Sequence, residues 1–254
     1  AQAPFWPVDL HRHVTHIHIC RVPLPTHPRI NPTMMPRALL ATARGFQRSV
    51  PHRSFNSVAT KEQDVQKAVE SVFKLFERQG QGDYVGEAVS QIEHGLQAAD
   101  LAAKSGFGPE EVLAALLHDV GHLLGLEMGD KVGRMDDCGI VNHEALGGEW
   151  LSQLGFSEKV ANLVTRHVDA KRYLCFSQPG YYDNLSYASK TTLGFQGGPM
   201  LEEEATKFKG DERFKTIIAM RHWDEAAKVP GKEVPPLEAY RGLMESHLRK
   251  QPSE

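Results

Sequence analysis

The stretch AALLHDVGHLLG, Ala114 to Gly125, is apolar on both flanks, yet it carries His118, Asp119 and His122 within five residues. A run this apolar belongs in a core, where an unpaired carboxylate costs several kcal/mol. No Lys or Arg occurs in VLAALLHDVGHLLGLEMGD, residues 112–130. The local sequence therefore offers Asp119 no cation. A pair of metal ions would supply the charge; basic residues from elsewhere in the chain are the alternative.

Outward from this stretch the chain reads as helix after helix. GPEEVLAALLHDVGHLLG, 108–125, has Pro109 in its first turn with acids behind it, and is expected to form one helix. KEQDVQKAVESVFKLFERQG, 61–80, puts Val65, Val69, Val72, Phe73 and Phe76 on one stripe and stops at a glycine. EAVSQIEHGLQAADLAAKSG, 87–106, repeats the pattern. NHEALGGEWLSQLG and SEKVANLVTRHVDAKRYL follow, with Ser157 as the N-cap of the second. Further helices are expected over 181–195, 202–210, 211–228 and 235–251, and no alternating strand pattern occurs. The fold expected is all-α, one domain over residues 62–250.

Composition narrows the rest. The 254 residues, 41% hydrophobic and 24% charged, suffice for one sizeable core. A net charge of −3 gives no basic face, so no nucleic-acid partner is expected. No run approaches the ~20 apolar residues of a membrane span, so no membrane partner is expected either. Cys20, Cys138 and Cys175 are odd in number and lack CxxC spacing, which fits a reducing compartment.

Residues 1–61 differ in character. They hold six of the 13 histidines, His11, His13, His16, His18, His27 and His52, and Asp9 as their only acid. The segment reads as a disordered extension. Within it, Arg37, Arg44, Arg48 and Arg53 accompany Leu39, Leu40 and Phe46 with no acid, the composition of a mitochondrial targeting segment. A mitochondrial matrix location is expected from it; without such a role the protein would be cytoplasmic.

In the folded part, His94, His118, His143 and His167 come at near-even intervals, one on each successive expected helix. A bundle whose helices each send one ligand inward builds a dinuclear metal site in its core. Asp119 follows His118, and neighbouring helical residues diverge by about 100°, so a shared, bridging carboxylate fits that position. Imidazole with carboxylate suits iron, manganese or zinc rather than calcium. His122 lies at i+4 from His118 without the HExxH pattern of zinc proteases, so a place beside the metals or on a substrate anion fits it.

Taken together, the "HD" at 118–119 and the histidines around it resemble the HD-domain superfamily of metal-dependent phosphohydrolases. YVGEAVSQIEHGLQAADLA, LLHDVGHLLG, NHEALGGEWL, RHVDAKRYL, YASKTTLGFQGGPM and RHWDEAAK resemble more specifically its mixed-valent diiron oxygenases, above all the glycine-forming phosphonate dioxygenases. The likeness covers nearly all of residues 80–230. It implies an HD-domain helical bundle and two iron ions, an Fe(II)/Fe(III) pair. His94, His118 and Asp224 would hold one, His143 and His167 the other, and Asp119 both. Read alone, Asp224 would be a surface acid.

The resemblance also implies that Tyr84 occupies an iron until substrate displaces it, helped by Glu87, and that His122, Lys171, Ser189 and Thr192 hold a phosphonate. Lys171 at i+4 from His167 reaches the same cavity, and a dianion wants a cation and hydroxyl donors. The implied reaction uses O2 to cleave the C–P bond of a 1-hydroxyalkylphosphonate, such as 2-amino-1-hydroxyethylphosphonate, to phosphate and a carboxylic acid, here glycine. The rival is an HD-type phosphohydrolase acting on a nucleotide or other phosphoester. The substituent on C2 and the oligomeric state stay open.

Overall fold

The computed structural model describes residues 54–84 and 86–252. The expectations of a disordered arm, its targeting role and its histidines rest on residues 1–53 and lie outside them. Helix α1, Ser54–Gln79, starts ahead of the expected boundary at 61/62. SFNSVATKEQ contains no Gly or Pro to stop a helix, so the periodic segment extends back towards Pro51.

Helix α2, Gln91–Lys104, starts later than EAVSQIE led us to expect. Ser90 Oγ accepts the Glu93 N–H, and the Glu93 carboxylate accepts the Ser90 N–H, a reciprocal cap that fixes the start. Tyr84 and Glu87 are thereby left in the connecting turn, where the Glu87 N–H donates to the Tyr84 carbonyl.

The helix expected over 108–125 is two helices, α3 (Pro109–Leu117) and α4 (Val120–Met128). His118 keeps helical angles, but Asp119 sits at φ −102°, ψ 11°, and the chain breaks there. The break falls between His118 and His122, the pair expected at i/i+4 on one helix. The segment Pro109–Lys131 is also long and apolar enough, by length and composition, to cross a membrane, against the expectation that no run comes close. Its Leu113, Leu116, Leu117, Val120 and Leu123 lie in the core, which accounts for the apolarity.

Helices α5 (His143–Gln153), α6 (Glu158–Ser177), α7 (Tyr187–Phe195), α8 (Glu202–Lys209), α9 (Phe214–Ala226) and α10 (Arg241–Lys250) complete the bundle. Ser157 caps α6 as expected. The helix expected over 181–195 is interrupted: Ser186 caps α7 by accepting the Ser189 N–H, and a short 3-10 turn, Tyr182–Asn184, precedes it. Ser189 and Thr192 therefore sit inside a helix, buried.

α2, α3, α5, α6 and α9 pack side by side around the centre, with α4 against α5, while α1 and α10 pair beyond them. Gly121 makes the α4–α5 contact close: a Cβ there would lie 1.9 Å from the His143 carbonyl oxygen, so any side chain would push α5 away. No strand occurs among the described residues, only the isolated bridges Asp83–Ser90 and Arg134–Ile140. The architecture is all-α. Cys138 and Cys175 are free.

Candidate metal centre

Six side chains from five separate places in the chain converge inside the bundle. α2 supplies His94, the end of α3 His118, and the helix break Asp119. α5 supplies its first residue, His143; α6 supplies His167 and α9 Asp224. All six are buried. They divide into two groups whose donor atoms lie within 4.8 Å of one another: His94, His118 and Asp224, then Asp119, His143 and His167.

Asp119 joins the groups. Its Oδ2 lies 3.6 Å from His94 Nε2 and 3.4 Å from His118 Nε2. Its Oδ1 lies 3.4 Å from both His143 Nε2 and His167 Nε2. Each oxygen faces its own pair of imidazoles, the geometry of the shared carboxylate expected at this position.

The imidazoles show what such a site is built to hold. Each offers Nδ1 to a backbone carbonyl, which only accepts: His94 to Ala227, His118 to Ala115, His143 to Ile140 and His167 to Val164, at 2.8 to 3.2 Å. The Nδ1 protons are thus committed, and the Nε2 lone pairs point inward. There His94 Nε2 stands 3.1 Å from His118 Nε2, and His143 Nε2 stands 3.2 Å from His167 Nε2. Facing lone pairs repel unless a cation lies between them. Ligands about 2.1 Å from one ion and at right angles are roughly 3.0 Å apart, so these spacings fit metal ions. Asp224 Oδ1, buried and without a hydrogen-bond donor, is the remaining unsatisfied atom of the set.

The charges agree. Burial works against ionisation of Asp119, but His118 and His143 beside it hold its carboxyl well below the usual range. Burial would lower His118, yet Asp119 and Asp224 outweigh it and lift the imidazole to about 9. Burial, with the other imidazoles added, takes His167 down to about 3 against the pull of Asp119.

The centre forms one wall of a cavity that also touches Tyr84, His122, Lys171, Ser189 and Thr192. Lys171 Nζ donates to Thr192 Oγ1 at 2.8 Å, and burial with the Arg221 charge brings it down to about 7. His122 is the opposite tautomer to the ligands. Its Nδ1 accepts the Ile140 N–H at 3.1 Å, and burial holds it neutral, so its proton is on Nε2, available to an anion. Its ring stacks on His143 at 3.8 Å, and Gly139 makes room: a Cβ there would lie 2.5 Å from the His122 ring. The Tyr84 ring stacks on His94 at 3.9 Å, and burial together with the Asp119 and Asp224 charges pushes its hydroxyl pKa well up, which keeps it protonated. The residues expected to serve the metals, the substrate or their exchange therefore line or form this one site.

Sequence reasoning missed Arg221. It is buried, donates from Nη1 to Asp224 Oδ2 at 2.5 Å, and reaches Glu225 at 3.1 Å through Nε. A basic residue from far along the chain does enter, but it pairs with Asp224, not with Asp119. Its spacing of i, i+3 and i+4 to two acids in RHWDE was the available signal. Lys228 and the buried, unpartnered Gln196 Oε1 also line the cavity and had no assigned role.

Residues 91–205 match the HD domain family, and the chain belongs to it. Its relatives include a [1-hydroxy-2-(trimethylamino)ethyl]phosphonate dioxygenase (glycine-betaine-forming) of Leisingera caerulea, 42% identical over 167 residues, 66% of this chain and 83% of that one. A hydroxymethylphosphonate dioxygenase of Gimesia maris is 39% identical over 180 residues, 71% of this chain and 88% of the relative. An uncharacterised protein of Acanthamoeba polyphaga mimivirus is 40% identical over 180 residues, 71% of this chain and 81% of the relative.

Proposed function

We propose that this protein is a diiron oxygenase that uses O2 to cleave the C–P bond of a 1-hydroxyalkylphosphonate. The observation that carries the reading is the contrast in tautomers: four Nε2 lone pairs turned on Asp119 and Asp224, and one Nε2–H turned towards the cavity that holds Lys171. The first set calls for two cations, the second for an anion beside them. The two named relatives act on 1-hydroxylated phosphonates, which supports the same substrate class here.

His94, His118 and Asp224 would hold one iron, His143 and His167 the other, with Asp119 shared. Four imidazoles and two carboxylates suit iron among other borderline ions. Bound iron would supply a Lewis acid for the 1-hydroxyl and electrons for exchange with O2. The protein's own groups bind and orient. Lys171, the Ser189 and Thr192 hydroxyls and His122 Nε2–H would receive the phosphonate oxygens, a charge-assisted cluster. Tyr84, stacked on His94, covers the centre until substrate arrives, and Glu87 beside it assists the exchange.

The overall reaction balances without an external reductant: R–CH(OH)–PO3H2 and O2 give R–COOH and H3PO4. An aminomethyl R, the substituent implied by the resemblance, would give glycine. The test is oxygen uptake measured against phosphate release by the iron-loaded protein. One O2 consumed per phosphate is expected; phosphate formed equally well without oxygen would replace this reading with the phosphohydrolase.

A further inference from the structure

We infer that this protein selects hydroxyphosphonates with no cationic group on C1, of which hydroxymethylphosphonate is the smallest, and that Lys228 sets the preference. The inference rests on the phosphonate-cleaving reading above and names its substrate more narrowly, against the amino-substituted substrate implied by the resemblance.

The residues that line the inner cavity fall by chemistry into three groups that matter for a substrate. The metal ligands form one, and Lys171, Ser189, Thr192 and His122 form the second. With the 1-hydroxyl at the first and the phosphonate at the second, the C1 substituent faces the third, made of Tyr84, Glu87 and Lys228. An ammonium group is recognised by a carboxylate or by the face of an aromatic ring. The third group has one of each, and Lys228 occupies both. Its Nζ lies 3.1 Å from Glu87 Oε1 and 5.4 Å from the centre of the Tyr84 ring. Both side chains of the ion pair are 16% exposed, so neither is spread through solvent.

No other acid nearby is free to take a cation. Asp224 and Glu225 are held by Arg221, and the Tyr181 hydroxyl donates to Glu225. The inner cavity opens towards an outer one past Glu87, Ser189, Arg221 and Lys228, and Tyr181 is the single aromatic lining the outer space. One ring with its hydroxyl engaged is no cage for a quaternary ammonium.

The experiment compares kcat/KM for hydroxymethylphosphonate, 2-amino-1-hydroxyethylphosphonate and the trimethylamino analogue, with Kd for each measured by anaerobic calorimetry. The iron-loaded wild type is expected to favour hydroxymethylphosphonate at least tenfold over either cation. Lys228→Met is expected to reduce that ratio at least tenfold, through KM and Kd for the cationic substrates, whereas Lys228→Arg keeps it. Equal or better use of a cationic substrate by the wild type, or an unchanged ratio in folded Lys228→Met, overturns the inference alone. Phosphate release from none of the three overturns the C–P-cleaving reading and this inference with it.

Discussion

His118 in the centre and His247 on α10 are both buried imidazoles, and they differ in what the second nitrogen meets. His247 Nε2 accepts the Ser157 N–H at 3.1 Å, and its ring lies over Phe156. It helps join α10 to the start of α6, and that nitrogen is satisfied by the protein itself. His118 gives Nδ1 to Ala115 and then presents Nε2 to another imidazole beside two carboxylates, where only a positive charge can join them. Burial does not distinguish a structural histidine from a ligand. The unsatisfied lone pair does.

The sharpest break of that comparison is Asp119→Asn, which keeps shape and removes the shared charge. Metal affinity is expected to fall by more than roughly 100-fold, the upper figure for partners one step removed from a metal. Elemental analysis should then find less than two ions per chain, with oxygen uptake lost; two ions retained would deny Asp119 its bridging place.

Lys171→Met should act on the substrate alone. Losing a charged hydrogen-bond donor costs about 1.5–3 kcal/mol, so KM should rise about 10- to 100-fold while metal content stays at the wild-type level. An unchanged KM would remove Lys171 from the phosphonate site.

The smallest effect is expected at His247. His247→Gln should lower stability by about 1 kcal/mol, a few degrees in Tm, and leave metal content alone. Burial, against the pull of Glu110, holds the pKa of His247 below its ordinary value. The unfolded chain therefore takes up a proton that the folded one resists. Its stabilising contact is intact above about pH 6.5 and weakens as pH falls through that value. Thermal melts from pH 7 to 5 should fall less steeply in the variant than in the wild type.

Much of the centre was legible because its chemistry is concentrated in types that a core otherwise avoids. His94, His118, His143 and His167 announce themselves by recurring on successive helices, and Asp119 by sitting in an apolar run without a cation. Asp224 was legible only through the family likeness, since RHWDEAAK read locally is a solvated helix end. The break at Asp119 was not legible: neither Gly nor Pro separates His118 from Val120, and the tertiary pull on the dyad overrides the helical period of the flanking leucines. Arg221 escaped notice because a lone arginine on a helix ordinarily faces water. The tautomers, which separate His122 from the ligands, depend on backbone partners such as Ile140 that no spacing rule encodes.

The distribution of ligands along the chain also orders their assembly. Asp119, His143 and His167 are all present once α6 has been made, whereas His94 and His118 must wait for Asp224 on α9. As the polypeptide leaves the ribosome, one half of the pair can close early while the other stands open until a late helix arrives. α9 therefore works as a latch on the side of the centre that His94 and His118 occupy.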